Sequence, residues 1–139
     1  MIHLSTKSDY AIKALVRLAL ADGTSPVSAR DIVAFTGIPP KFLEQVMHDL
    51  RQGGLVTSQR GKGGGYAIAR DPATISFADV IDLIDGSHGG MGRMRNGDRA
   101  EPLVEPVWRE VRECTRAILR SATIADAAAR SNKDPMYYI

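Results

Sequence analysis

Residues 60–66 read RGKGGGY, so four glycines and a lysine separate Arg60 from Tyr66. Glycine-rich loops with a lysine can bind nucleotide phosphates, but the two established patterns are not met. A P-loop has Ser or Thr after Gly-Lys, whereas Gly63 follows Lys62 here, and a dinucleotide loop has a third glycine where Tyr66 stands. The stretch is therefore interpreted as a flexible, positively charged turn.

A second set of polar groups precedes this turn at helical spacing. Four residues recur at i, i+3, i+4 and i+7 and would share one exposed stripe: Lys41, Glu44, Gln45 and His48. Four apolar residues repeat the same spacing on the opposite side and predict a buried face: Leu43, Val46, Met47 and Leu50. The polar stripe can present several hydrogen-bonding groups to a DNA major groove. The alternative is an ordinary solvated helix face.

Three helices are predicted before the turn. The first follows Thr6-x-x-Asp9, which resembles a capping box, and runs to about Leu20. Ser28-x-x-Asp31 opens a second, short helix that Gly37 ends. The third starts at Pro39-Pro40 and closes at Gly53-Gly54. This order is that of a helix-turn-helix.

The glycine-rich turn joins two predicted strands, 55–58 and 66–69. A positive hairpin directly after a helix-turn-helix is interpreted as a wing, whose Arg60 and Lys62 could enter a minor groove or pair with phosphates. A long hairpin with solvated charges is the alternative. The fold class predicted is mainly α with a small β-hairpin.

The back half adds further helices. Ser76-x-x-Asp79 caps a helix that ends at Gly86, and Thr123-x-x-Asp126 opens a short last one. A long helix is predicted from about Leu103 to Ser121, with a heptad-like apolar stripe. Its members are the candidate dimer contacts: Val104, Val107, Trp108, Val111, Cys114, Thr115 and Ile118. The alternative is a helix packed only on its own domain, and the tail SNKDPMYYI is expected to be mobile.

Three segments carry a resemblance to a known family: LSTKSDYAIKAL, GIPPKFLEQVMHDLRQGGLVTSQRGKGGGYAIARD and ISFADVIDLIDG. The chain resembles the IscR/NsrR/CymR-type (Rrf-two) family of bacterial winged helix-turn-helix transcription regulators, over nearly its whole length and closely over residues 4–86. The resemblance implies a homodimer that binds palindromic operator DNA, with a long C-terminal dimerisation helix. It implies three parts: a DNA-binding domain at 1–75, a connecting helix and sensor-position loop at 76–102, and the dimerisation helix and tail at 103–139.

The resemblance also implies which residues meet DNA. The recognition helix would start at Pro40, the wing arginine would be Arg60 with its tip at residues 61–65, and Tyr10 would lie near the DNA backbone. The full set of candidate DNA contacts is Tyr10, Pro40, Lys41, Glu44, Gln45, His48, Arg60, Gly61, Lys62, Gly63, Gly64 and Tyr66.

The sensor-position loop departs from the family pattern. Members with an iron–sulfur cluster carry three cysteines there, whereas residues 86–102 contain none and the chain has one cysteine in all. Because such clusters are held chiefly by thiolates, no iron–sulfur cluster and no metal site is expected. Three alternatives remain: a metabolite or protein effector, a redox role for Cys114, or no effector. Cys114 has cationic neighbours but lies on the apolar stripe, which favours a core residue over a sensor.

Composition narrows the class of function. Residues 1–70 hold nine Lys and Arg against five Asp and Glu, whereas residues 71–139 hold nine against eleven, so only the front half is suited to a polyanion. The sequence shows no catalytic arrangement and no apolar run long enough to span a membrane, and the start of the chain shows no signal core. A cytoplasmic, non-enzymatic regulator, most simply a repressor, is expected. The alternative function is a winged-helix interaction module that no longer binds DNA.

Overall fold

The computed structural model describes residues 4–21, 25–86 and 97–132. Most residues of the sensor-position loop and of the tail, for which predictions were made above, lie outside these ranges. The described elements are α1 (Thr6–Ala19), α2 (Ala29–Thr36), α3 (Pro40–Gln52), β1 (Val56–Gln59), β2 (Gly65–Ile68), α4 (Phe77–Asp85), α5 (Glu101–Ser121) and α6 (Ile124–Ala129). Short 3-10 turns occupy Pro72–Thr74 and Arg130–Asn132. The predicted class, mainly helical with one antiparallel hairpin, is confirmed.

Helix α1 is the centre of the packing. It contacts α2, α3, α4, α6 and strand β2. It can do so because five apolar residues form one broad, buried face of the helix: Ala11, Ile12, Ala14, Leu15 and Leu18. The same core takes in Ile75, Val80 and Ile124, so residues from all three predicted parts of the chain share it.

The start of α1 is tied to the end of α4 through a carboxylate. The buried Ser8 donates its hydroxyl proton to Asp85 at 2.7 Å, and Ser5 donates to the same carboxylate at 2.6 Å. The N-cap is Ser5, whose oxygen accepts from the Ser8 amide, so the predicted cap at Thr6 was wrong by one residue. An anion at this helix end also interacts favourably with the helix dipole.

Most of the other predicted helix ends are confirmed. Ser28 caps α2 and Gly37 ends it, while Pro40 occupies the first position of α3. Ser76 and Thr123 each form a capping box with the aspartate three residues on. The hairpin is shifted by one residue from its prediction, because Gln59 pairs with Gly65 in β1 and β2.

Helix α5 is attached to the domain mainly at its C-terminal half. Its end is held by backbone hydrogen bonds from Phe77 to Ala122 and from Ile124 to Ile75. Arg116 also donates two hydrogen bonds to the Asp82 carboxylate of α4, one of them 2.7 Å long. These bonds hold the pKa of Asp82 below its ordinary value and raise the pKa of Arg116.

We expect Asp82→Asn to reduce the free energy of unfolding by up to about 1 kcal/mol at pH 7, since both side chains are about one-third exposed. The folded carboxylate has the lower pKa, so its contribution is complete above the ordinary aspartate pKa of about 3.9 and is lost as the pH falls below it. Urea unfolding at pH 7 and pH 3, at equal protomer concentration, measures this. Glu113→Gln, on the exposed side of α5, is the control. A loss of stability in Asp82→Asn, relative to the wild type, that is as large at pH 3 as at pH 7 would contradict the ion-pair explanation.

Candidate nucleic-acid interface

The helix-turn-helix is built from α2, a short turn and α3. Ile38 of the turn is fully buried and anchors it to the core. Thr36 ends α2 by donating its hydroxyl proton to the Ile32 carbonyl, and its oxygen accepts from the Ile38 amide. Because Pro40 has no amide proton to satisfy, it suits the first turn of α3. These contacts fix the direction in which α3 leaves the domain.

Helix α3 separates its two sets of side chains as predicted. All four apolar residues of its inner face are buried: Leu43, Val46, Met47 and Leu50. All four polar residues of the opposite stripe are exposed: Lys41, Glu44, Gln45 and His48. The orientation of α3 is further fixed by a 2.5 Å ion pair between Lys7 of α1 and Asp49. The stripe is therefore presented to solvent on a helix that is held in place on its other side.

Sequence reasoning missed one residue beside this stripe. Phe42 is 54% exposed at the start of α3, and its ring lies 6.1 Å from that of Tyr10 in a tilted arrangement. Tyr10 itself is half-buried, so it supports the Phe42 ring rather than standing alone at the surface. An apolar ring of this kind can contact a thymine methyl group. The available signal was an aromatic residue that falls outside the apolar spacing of α3.

The hairpin is fixed to the helical core at its base. The backbone amide and carbonyl of Tyr66 form two hydrogen bonds of 2.8 Å with Val27, just before α2. Arg51 of α3 donates a hydrogen bond to Ser58 of β1 at 3.1 Å. The hairpin therefore projects from the domain at a defined angle, next to α3.

Two glycines of the hairpin leave no room for a side chain. A Cβ at Gly65 would lie 2.3 Å from the Val27 carbonyl oxygen, and a Cβ at Gly64 would lie 2.4 Å from that of Gln59. At these two positions the absence of a side chain lets backbone segments approach closely.

The charged groups of the hairpin lie at its tip. Arg60, Gly61, Lys62 and Gly63 are exposed, whereas Gly64 and Tyr66 are half-buried. Within the described ranges, neither Arg60 nor Lys62 forms an ion pair, and the same holds for Lys41. Three cations of α3 and the hairpin are thus free to meet an anionic partner.

The proposed dimer contacts lie on α5, apart from this interface. No described residue of α5 is buried, and six large apolar side chains are exposed: Leu103, Val104, Val107, Trp108, Val111 and Ile118. Thr115 is half-buried, and Cys114 is exposed. The expectation that Cys114 is a core residue is therefore not met within a single chain. In the described ranges, no group of His, Cys, Asp and Glu is placed to hold a metal ion.

Residues 4–130 match the model of a family described as "Rrf2: Iron-dependent Transcriptional regulator". A protein of Mycobacterium tuberculosis, provisionally named an HTH-type transcriptional regulator, is 39% identical over 91% of this chain and 81% of its own length. The HTH-type transcriptional regulator IscR of Klebsiella pneumoniae is 35% identical over 90% of this chain and 78% of its own.

Solved structures show the same relationship. The structure of CymR, the global cysteine regulator of B. subtilis, superposes with a TM-score of 0.82 at 30% identity and covers 94% of this chain and 98% of CymR. That of T. potens IscR gives a TM-score of 0.77 at 31% identity, over 99% of this chain and 96% of the other.

We expect Gly65→Ala to destabilise the protein by about 1–3 kcal/mol, because the new methyl group would force the hairpin away from Val27. Thermal unfolding followed by circular dichroism measures the change. Lys62→Ala, at the exposed tip of the same hairpin, is the matched control and should change stability by less than about 0.5 kcal/mol. Equal stability of the two variants would show that the hairpin base tolerates a side chain.

Proposed function

The chain belongs to the Rrf2 family of transcriptional regulators, and from this we propose that it is a homodimeric repressor that binds palindromic operator DNA. It is a transcription regulator and not an enzyme. One observation carries the proposal: a polar stripe on α3 and a cationic hairpin tip both project from the same rigid framework. Because its partner would be genomic DNA, we place the protein in the cytoplasm. No helix of the described ranges has the length and apolar character to cross a bilayer.

The polar stripe of α3 and the tip of the hairpin would contribute differently to DNA binding. Gln45 and Lys41 are side chains that pair with adenine and guanine edges in the major groove, so the stripe would read sequence. Glu44 could accept from a cytosine amino group or exclude other bases. Arg60 and Lys62 would bind phosphates or a narrow minor groove and so supply affinity.

A second copy of the chain is the partner we propose for α5. Its exposed apolar residues recur at heptad-like spacing, and a helix of this kind can pair with its own symmetry mate. The pairing would cover Val107 and Trp108, which are 58% and 42% exposed in one chain. It would also place two α3 helices on half-sites about one helical turn apart.

We propose that this regulator works without an iron–sulfur cluster. The family description refers to iron, but the chain has a single cysteine and residues 86–102 contain none. These residues do not fit a thiolate-held cluster. Iron and sulfide analysis of protein purified without oxygen tests this, and stoichiometric amounts of both would refute it.

Cys114 is then assigned to the dimer contact. It lies on the same face of α5 as Val107 and Val111, so a second chain would cover it. This assignment predicts operator binding that is indifferent to mild oxidation, and loss of binding on oxidation would make Cys114 a redox sensor instead.

For DNA recognition, we expect Gln45→Ala to weaken binding to operator DNA by about 1–3 kcal/mol while leaving random DNA unaffected. We expect Arg60→Ala to weaken both and to reduce the salt dependence by about one unit of slope for each phosphate that the side chain neutralises. Duplexes selected from a random pool, then titrated by fluorescence anisotropy at two salt concentrations, supply the measurement.

Arg109→Ala, on the polar side of α5, is the matched control for Arg60→Ala. For Gln45→Ala, equal losses of affinity for operator and random DNA would show that Gln45 does not contact a base. A protein that selects no duplex from the pool would favour an interaction module without DNA binding.

For the dimer, we expect Val107→Asp to raise the dissociation constant of the dimer at least about 100-fold. Two symmetric copies would each lose about 1.5 kcal/mol of apolar burial, and an unpaired carboxylate would be added. Sedimentation velocity over a range of concentrations measures it, with Arg109→Asp as a control that places the same carboxylate on the polar side of α5. A wild-type chain that stays monomeric would refute the dimer.

A further inference from the structure

A groove lies on a side of the domain formed by α1, α2, the start of α4 and α6. Its volume is about 680 Å³, and its walls include Ile12 and Val16 of α1, Phe35 of α2 and Phe77 of α4. None of the polar stripe of α3 and none of the hairpin tip lines it. The DNA-binding proposal and the α5 face therefore leave this groove without a role.

The groove combines apolar walls with cationic groups. Phe35 is half exposed and Phe77 is half-buried, so both rings present area to a bound molecule. Lys13 and Arg130 also line the groove. Among the described residues that line it, none carries a carboxylate. The charged side chains among these described lining residues are therefore both cations.

The hydrogen-bonding groups of the groove point to the same kind of ligand. Thr36 and Ser131 line it, but each donates its hydroxyl proton to a backbone carbonyl, that of Ile32 and that of Ala128. The side-chain donors left for a ligand are thus the two cations. Lys13 is paired with Asp9 at 2.7 Å, whereas Arg130 forms no ion pair within the described ranges. Arg130 is the better anchor for an anion.

We propose that this groove is a binding site for a small amphipathic carboxylic acid with an aromatic ring. The ring would pack against Phe35 and Phe77, and the carboxylate would pair with Arg130, with Lys13 as a second cation of the same groove. Arginine binds carboxylates in a bidentate manner that a lysine does not match. The volume is within the range of ordinary small-molecule sites, about 300–1,000 Å³.

The position of the groove gives such a ligand a route to regulation. Helix α2 belongs to the helix-turn-helix and packs on α1, while α6 follows directly after α5. A molecule that contacts all of these elements would favour one placement of α2 relative to α6. This regulatory consequence rests on the proposed function, whereas binding of the acid does not depend on it.

The test uses 3-phenylpropionate and its uncharged counterpart 3-phenylpropanamide, titrated into the full chain without DNA and followed by protein-observed NMR. We expect the acid to bind at least about tenfold more tightly than the amide, the scale of one charge-assisted contact. Arg130→Gln should remove this preference, and Ala127→Trp, which fills the groove from α6, should abolish binding of both. Arg120→Gln, an exposed cation of α5, is the matched control and should bind like the wild type.

Three outcomes would overturn the proposal. Equal affinity for acid and amide would refute recognition of the carboxylate. Binding that survives Ala127→Trp would place the molecule elsewhere, for example on the α5 face. No saturable binding to the wild-type chain would mean that aromatic acids do not occupy the groove, and Phe35→Ala serves as a second groove variant should Ala127→Trp fail to fold. Since DNA is absent from the assay, each result is independent of whether the chain binds an operator.

Discussion

The architecture depends on the placement of helix α1, whose buried apolar face packs on its neighbours and whose start is held by one carboxylate. Asp85 stands at the C-terminal end of α4, where the helix dipole disfavours an anion. It accepts hydrogen bonds from Ser5 and Ser8 at the N-terminal end of α1, where the dipole favours an anion. Helix α1 in turn contacts four other helices and the hairpin. The angle of α1 therefore determines how the helix-turn-helix sits relative to α4 and α6. A buried serine in an otherwise apolar helix face is explained by this link.

The hairpin has a fixed base and an exposed tip. Its base is held by Val27 through backbone hydrogen bonds, and Gly65 permits the short distance between the two segments. Its tip carries Arg60 and Lys62 into solvent. Because the backbone does the anchoring, the side chains of the tip are available for interactions outside the domain.

Much of this arrangement could be predicted from sequence, because it depends on local signals. Helix caps at Ser28, Ser76 and Thr123 need only residues three apart, and the buried face of α3 needs only its own periodicity. The cap of α1 was misplaced by one residue because Ser5 and Thr6 are equivalent in type, and only the distant Asp85 distinguishes them.

Features formed by residues that lie far apart in the sequence could not be predicted. The groove joins Val16 to Phe77 and Arg130, three residues whose proximity no local pattern indicates. The exposure of Cys114 likewise follows from how α5 leaves the domain rather than from its apolar neighbours. Candidate DNA-binding residues could be chosen from the α3 stripe, yet Phe42 escaped notice because its support, Tyr10, lies in another helix.

The uncovered apolar face of α5 has a consequence for how gene expression would respond to the amount of this protein. If the chain binds its operator only as the proposed dimer, operator occupancy rises with the square of the protein concentration, as long as most copies are monomers and most operators are empty. Small changes in synthesis or degradation would then be amplified at the promoter. The strength of the α5 pairing would set the cellular level at which this steep response gives way to a shallow one, so residues far from DNA would tune the threshold of the genetic switch.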